Sequence, residues 1–367
     1  MVDHKDEVAI SAVILAAGEG SRMRSERPKP LHRLCGRPML MYVMDAVGGA
    51  GVGHVVVVVG HKADRVTKKL TEQELDVKID FVTQEVQRGT GDAVLVSLVA
   101  VPHEPDDRDV LVLPGDSPLL RAETVSALIA QHRSTGAAAT ILTARMGDPT
   151  GYGRVIRNKT GTVARVVEQR DASDEELAVD EVNTSIYLFR RSLLSPALRR
   201  IEPDNAQGEY YLTDVIEVLA SAGHKVESLI VEDSEEVQGI NDRVQLAAAE
   251  AELRSRTNDR LLRSGVTIVD PTAAYIDTTV EMGSDVTVFP GVILQGSTVI
   301  GAGSEIGPDV HLVDTRVGEG SVIRGTSGDR AEVGDRCHVG PFAVLEPGSK
   351  VPSDSRTGSF YTAQVGG

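Results

Sequence analysis

Beyond Val266 the sequence keeps a period of six, and that period excludes most folds at once. Met282, Val288, Leu294, Ile300, Ile306 and Leu312 are all apolar, and two residues before each stands a small or branched side chain: Val280, Val286, Val292, Thr298, Ser304 and Val310. Neither the 3.6-residue period of a helix nor the two-residue period of a strand produces this spacing. One apolar residue per six-residue side fills the inside of a triangular coil, and glycines such as Gly283, Gly301 and Gly307 suit its corners. The pattern therefore predicts a hexapeptide-repeat β-helix. After an insertion expected near Gly325 to Arg330 the phase resumes with Val333, Val339, Leu345 and Val351, preceded by Ala331, Cys337, Ala343 and Ser349. A generic glycine-rich β domain is the plainer alternative, and it leaves so many in-phase positions unexplained.

The part before the repeat has another rhythm. From Val8 to about Ile240, short β-branched runs alternate with helical patterns, as in strands joined by crossover helices. Ile10 to Ala16, Val55 to Val59, Val77 to Val82 and Val110 to Leu113 read as strands, and Pro38 to Val47 and Thr90 to Val99 as helices. The expected fold class is α/β: a doubly wound, Rossmann-like sheet over residues 8–240, a connecting helix over 241–264, and the β-helix over 265–367. The connecting stretch, NDRVQLAAAEAELRSRTNDRLLRS, is rich in helix formers and contains neither glycine nor proline.

Charge narrows the function. The chain carries a formal net charge of -16, which argues against an extended nucleic-acid face and against docking on an anionic membrane. No apolar run is long enough to span a bilayer, the N-terminus MVDHKDEV lacks a signal-peptide core, and Cys35 and Cys337 lack metal-ligand spacing. A reduced, cytoplasmic setting is expected. Against the acidic background, Arg22 to Arg37 holds six basic side chains (Arg22, Arg24, Arg27, Lys29, Arg33 and Arg37) and one acid, Glu26. This island follows the glycines of Leu15-Ala16-Ala17-Gly18-Glu19-Gly20, at a strand-to-helix passage where backbone N–H groups can meet a phosphate.

Two familiar phosphate motifs fail here, since Met23 occupies the third glycine of a dinucleotide fingerprint and no Gly-Lys-Ser/Thr completes a P-loop. Arg22 and Lys29, the latter held between Pro28 and Pro30, suit a triphosphate, although a solvated basic loop would look the same. Asp116, in Leu113-Pro114-Gly115-Asp116-Ser117-Pro118, ends a strand where a carboxylate can hold Mg2+ or can cap the helix expected near Arg121.

The ordered segments LAAGEGSRM, RPKPLH, GTGDA, GDSPL, DPTGYGR, VEQRDA, EVNTSIY, NAQGEYYLTD and QGIND, from about Ala12 onward, carry a resemblance that runs to about Phe360. The chain resembles the bifunctional N-acetylglucosamine-1-phosphate uridylyltransferase and glucosamine-1-phosphate acetyltransferase family, a sugar nucleotidyltransferase joined to a left-handed β-helix. The resemblance implies a uridine pocket of Leu15, Ala16, Ala17 and Gly18 with Gln84, Gly89 and Thr90. It assigns Arg22 and Lys29 to the triphosphate as the catalytic cations, and Asp116 with Asn241 to Mg2+. Gly153, Glu168 and Asn183, with Thr150 nearby, would meet the sugar phosphate. The implied reaction is an in-line attack of a sugar-1-phosphate oxygen on the α-phosphorus of UTP, which needs no protein nucleophile and leaves His32 without a part as base.

Departures from the family pattern set further expectations. The sequence stops before the later coils that carry the acetyltransferase site, Glu346 stands in place of an arginine and Gln364 in place of a lysine, so that second activity is expected to be absent. Pro114 replaces a frequent tyrosine, Ser185 a glycine, and Asp92 a histidine in GTGDA. The leading expectation is a uridylyltransferase for N-acetylglucosamine-1-phosphate; an alternative is the same chemistry on another sugar-like 1-phosphate. A noncatalytic scaffold would predict decay of the charged set, yet Arg22, Lys29, Asp116, Glu168, Asn183 and Asn241 are all present. The resemblance implies a homotrimer built through the β-helix, and the last residues, Thr357 to Gly367, are expected to fold over its open end as a cap.

Overall fold

The computed structural model describes residues 9–60, 62–73, 77–102 and 108–363. It divides into two compact units, Met1–His32 with Pro38–Arg243, and Arg33–Arg37 with Val244–Gly367. Nothing in the sequence pattern marks the short excursion at 33–37.

The first unit is a mixed sheet with helices on both faces. Its order begins β1 (Ile10–Ala16), α1 (Met39–Gly49), β4 (His54–Val59), α2 (Ala63–Thr71), β5 (Lys78–Thr83) and α3 (Thr90–Ser97); between β1 and α1 the chain makes a small hairpin of β2 (Arg33–Leu34) and β3 (Arg37–Pro38), whose residues 33–37 count with the second unit. It continues with β6 (Asp109–Pro114), α4 (Ala122–Thr135), β7 (Ala139–Arg145), β8 (Arg154–Arg157), β9 (Val163–Val167), α5 (Asp174–Leu177), β10 (Glu181–Arg190), α6 (Arg191–Leu198), α7 (Asp214–Ser221) and β11 (Val226–Val231). The sheet runs β11-β7-β10-β6-β1-β4-β5, with β8 and β9 attached through β10. Strands β1, β4, β5 and β6 are parallel, whereas β10 is antiparallel to both β6 and β7. The unbroken apolar runs have a simple cause: β4 is buried at every position, as a strand covered on two faces must be.

Those two faces form separate cores. Ile14, Val55, Val57, Leu111 and Leu113 pack under α1 and α4, while Val13, Val56, Val58, Val110 and Val112 pack under α3 and α7. The alternation follows from the two-residue period of each strand.

The second unit combines α8 (Arg243–Arg263) with the β-helix, and Leu261 of α8 shares a core with Val266, Ile268 and the inward residues of the coils. Three parallel sheets run along the coil, one per side. Met282, Val288, Leu294, Ile300, Ile306 and Leu312 pack inward, and the residues two before them are buried as well. Buried hydroxyls at that second position chain the coils together: Ser304 Oγ donates to the Gly318 carbonyl and accepts from Ser321 N–H, and Ser321 Oγ repeats both bonds with Gly334 and Cys337.

The expected insertion near Gly325 to Arg330 is not there. Thr326–Asp329 is itself a strand, with Leu312 paired to Gly328 and Gly328 to Leu345. What changes is the length of the sides. Inward residues step from Leu312 to Val317, Ile323, Gly328 and Val333, so three of the four steps span five residues instead of six. Stacked partners are accordingly 18 apart at Val288 and Ile306, 17 at Ile306 and Ile323, and 16 at Ile323 and Val339. The repeat fades from the sequence because one inward position is glycine, where an added Cβ would lie 3.0 Å from Leu312 Cδ2.

The expected cap also differs. Residues as far as Ala363 continue the coil, with Val344 paired to Thr362 and Ala363 buried, while 364–367, including Gln364, lie outside the described residues. Among the described residues no helix is long and apolar enough to cross a membrane.

Candidate functional site

Ligand crevices in open parallel sheets form at strand C-termini where successive crossovers diverge to opposite faces. Here that point lies at β1, with β4 on one side and β6 on the other. The helix after β1, α1, packs with α4, whereas α3, which leads toward β6, packs on the other face. A cavity of about 360 Å3 opens there, lined among others by Leu15, Ala16, Ala17, Gly18, Lys29, Gln84, Gly89, Thr90 and Asp116. The structure thus gathers nine of the sequence-derived candidates on one wall set.

Close backbone packing shapes the neutral end. Gly115 N–H donates to the Leu15 carbonyl at 2.9 Å, and a Cβ at Gly60 would lie 2.6 Å from the Ala17 carbonyl. Gly89 has φ 111° and its Cβ would meet Tyr210 backbone at 2.6 Å, so only glycine fits this turn. The 209–212 segment clamps the turn from outside: Gly91 N–H donates to the Tyr210 carbonyl, Tyr210 N–H to that of Arg88, and Leu212 N–H to Thr90 Oγ1. Gln84 Nε2 donates to the Gly89 carbonyl at 3.1 Å and to Asp92 Oδ2 at 2.8 Å.

At the charged end, side chains distant in sequence meet. Lys29 Nζ donates to Asp116 Oδ2, and to Asn241 Oδ1 at 2.8 Å; Arg22 Nη2 donates to the same amide oxygen at 2.9 Å. Left-handed Gly20 lets the loop close, since a Cβ there would stand 2.7 Å from Lys29 Cβ. Ile240 N–H bonds the Asp116 carbonyl, which sets Asn241 beside it. Arg22 and Asn241 lie outside the cavity wall and reach it through Lys29. Asp116 and Asn241 thus aim a carboxylate and an amide oxygen at one cation, and this hard-oxygen pair suits a divalent ion that takes few protein ligands. Among the described residues no group of three or more His, Cys, Asp or Glu side chains offers a richer metal site. His32 sits behind the loop, buried, with Nδ1 3.3 Å from Arg243 Nη1; burial, then the charges of Arg243 and Arg27, holds its imidazole below the ordinary value.

Gly153, Glu168 and Asn183 form a second cluster. Asn183 N–H donates to the Gly153 carbonyl at 2.9 Å, and a Cβ at Gly153 would approach Glu168 Oε2 at 3.5 Å. Burial pushes the Glu168 carboxyl above the usual range, against the bond from the Thr213 hydroxyl, and the charges of Asp214 and Asp171 push the same way. A register shift between Asn183 and Ile186 bends β10, and Ser185, at φ 62°, thereby lines the cavity. Thr150 lies on an exposed turn, where its N–H bonds Asp148 Oδ1 at 3.1 Å.

Sequence reasoning missed three neighbours of the cavity. Gln87 lines it and donates to the Ala17 carbonyl at 2.6 Å, and Glu209 lines it too. Tyr152, inside the DPTGYGR segment, has its phenol raised by burial and next by the charge of Asp116.

Known proteins are similar in sequence along nearly the whole chain. A family model described as a MobA-like NTP transferase domain matches residues 12–220. The protein named Bifunctional protein GlmU from Kineococcus radiotolerans is 45% identical over 353 residues, covering 96% of this chain and 71% of that protein. Proteins of the same name from Mycolicibacterium vanbaalenii and Carboxydothermus hydrogenoformans are 46% and 42% identical, over 95% and 96% of this chain and 71% and 77% of theirs. Similarity of that extent, running through the sheet and the coil alike, means that the chain belongs to the GlmU family and is a sugar-1-phosphate nucleotidyltransferase.

Proposed function

We propose that the chain transfers the uridylyl group of UTP to N-acetylglucosamine-1-phosphate, forming UDP-N-acetylglucosamine and pyrophosphate. The observation that carries this reading is a single cavity with a neutral end at Leu15, Ala16, Ala17, Gly18, Gln84, Gly89 and Thr90 and a charged end at Lys29 and Asp116. A base fits the first and phosphates the second. Lys29 and Arg22, converging beside Asp116, place fixed positive charge where a triphosphate would develop negative charge. Asp116 and Asn241 are the residues that would hold Mg2+, which when bound neutralises charge on the phosphates. The acceptor phosphate is ionised at neutral pH, so the chain's contribution is alignment and electrostatics. Gly153, Glu168 and Asn183, with Thr150 on its exposed turn, are proposed for the sugar side.

Pyrophosphate release over a grid of sugar-1-phosphates and nucleoside triphosphates tests this. UTP with N-acetylglucosamine-1-phosphate should lead, and Asp116→Ala should lower turnover by at least about a hundredfold, the cost of a lost electrostatic contact of ~2.7 kcal/mol. Near-normal turnover in that variant would refute the metal assignment. Because Pro114 and Ser185 both line the cavity, a different sugar-like 1-phosphate leading the grid is the second reading.

The same proposal includes loss of acetyl transfer, supported by exposed Glu346 where the family resemblance has arginine. Acetyl-CoA and glucosamine-1-phosphate should yield no CoA release. It also includes a homotrimer through the β-helix, supported by exposed Tyr275, Ile293 and Val344 and by the stacked pair Phe342 and Phe360. Cytoplasmic residence is supported by two free buried thiols, Cys35 and Cys337.

A further inference from the structure

Gln84 follows β5 and lines the neutral end of the cavity, where its amide is a side-chain group able to read a base. Its nitrogen lies within hydrogen-bond reach of two oxygens, the Gly89 carbonyl at 3.1 Å and Asp92 Oδ2 at 2.8 Å. A carbonyl and a carboxylate can only accept, so both face the NH2 end of the amide. A flip would set Oε1 against two oxygens. Gln84 consequently has one orientation, and Oε1 is the polar atom it offers to the cavity. Asp92, the third residue of α3, is half-buried and is not among the residues lining the cavity, so whatever it does for a ligand passes through Gln84.

We infer that Asp92 is a positioning residue that fixes Gln84 as a hydrogen-bond acceptor and so selects uracil over cytosine. Uracil carries a hydrogen on ring N3, which Oε1 can accept. Cytosine presents a lone pair at the same position, which Oε1 repels, and Gln84 cannot turn its NH2 toward it without losing both of its own bonds. Selectivity of this kind comes from an interaction closed to the competitor, and it costs nothing in affinity for the favoured base. Gly89 alone would hold the amide by one bond; the carboxylate supplies the second, charge-assisted one.

The inference rests on the uridine reading of the cavity, and its test separates the two. UMP and CMP are titrated calorimetrically into the full chain and into Asp92→Ala and Asp92→Asn variants, with circular dichroism confirming the fold of each. The parent should prefer UMP. Asp92→Ala should narrow that preference about tenfold or more, equal to ~1.4 kcal/mol, by weakening UMP and holding or improving CMP. If Asp92→Ala does not fold, Asp92→Asn decides, because its amide both accepts and donates: a narrowing of about threefold or more supports the inference, and an unaltered preference overturns it. Equal weakening of both nucleotides would show that Asp92 serves only the first turn of α3, and the inference would fall while the uridine reading stands. A parent without preference for UMP would overturn the uridine reading and the inference together.

Discussion

At Gly18 the protein's own packing does not require glycine. Its backbone is not left-handed, and an added Cβ would meet no protein atom within 4 Å, in contrast with Gly89 and Gly20 nearby. Gly18→Val should therefore leave the melting temperature within about 2 °C, as a surface substitution does, while raising the KM for the nucleoside triphosphate at least about tenfold by filling ligand space. Parallel thermal scans and kinetics would check this, and an unchanged KM would remove Gly18 from the site. Asp214 offers a test of another kind. Burial, then the charges of Glu217 and Asp171, pushes its carboxyl up from 3.8 to about 6. The folded state then holds this proton more tightly than the unfolded state, so stability from this group is full below about pH 4 and is lost as pH rises through 6. Asp214→Asn should raise the melting temperature at pH 7 and lose that advantage near pH 4; a variant less stable at pH 7 would contradict the burial argument. Lys29 and Asp116 were legible as neighbours only through the ordered segments that carry the family resemblance, since residue type and turn alone left a solvated basic loop and a helix cap open. Gln87 and Glu209 were not, because a polar residue on a solvated turn looks the same as one aimed into a crevice.

At the scale of elements, periodicity carried the reading wherever side chains, rather than backbone, fill space. The runs 12–16 and 55–59 are apolar because both faces of the sheet are covered. The antiparallel entry of β10 and its bulge at Asn183 had no such signal, since a register shift leaves hydrophobic content unchanged. The β-helix shows the limit from the other side. Its six-residue rhythm identified the coil, and its five-residue sides and inward Gly328 hid one turn. Leu312 and Leu345 flank that glycine, so neither has a side chain between them to share the space. Leu312→Ala should cost ~2–5 kcal/mol, because the surroundings have little to collapse with. Chemical denaturation would measure it, and a loss under ~1 kcal/mol would mean that the narrow coils repack freely.

For the whole molecule, a net charge of -16 contrasts with the cations Arg22 and Lys29 that meet at Asn241, so attraction for phosphates is local against an overall repulsive background. The proposed trimer would then associate through apolar surface. Phe342 and Phe360 stack with centroids 5.2 Å apart while remaining 62% and 76% exposed. Phe342→Asp with Phe360→Asp should shift the solution mass from trimer to monomer in light scattering without loss of secondary structure; a parent that is already monomeric would end the trimer proposal. The excursion at 33–37 bears on how such a chain can be cut. The second unit takes in five residues that lie between the Lys29 loop and α1 in sequence, and there Glu250 Oε2 accepts from Cys35 N–H at 2.8 Å. The backbone therefore enters that unit, leaves it and enters again, like a thread stitched twice through one cloth. A chain ended at residue 243 would keep the 33–37 loop and lose Glu250 with the rest of the second unit, so the Cys35 N–H, six residues after Lys29, would exchange this acceptor for water.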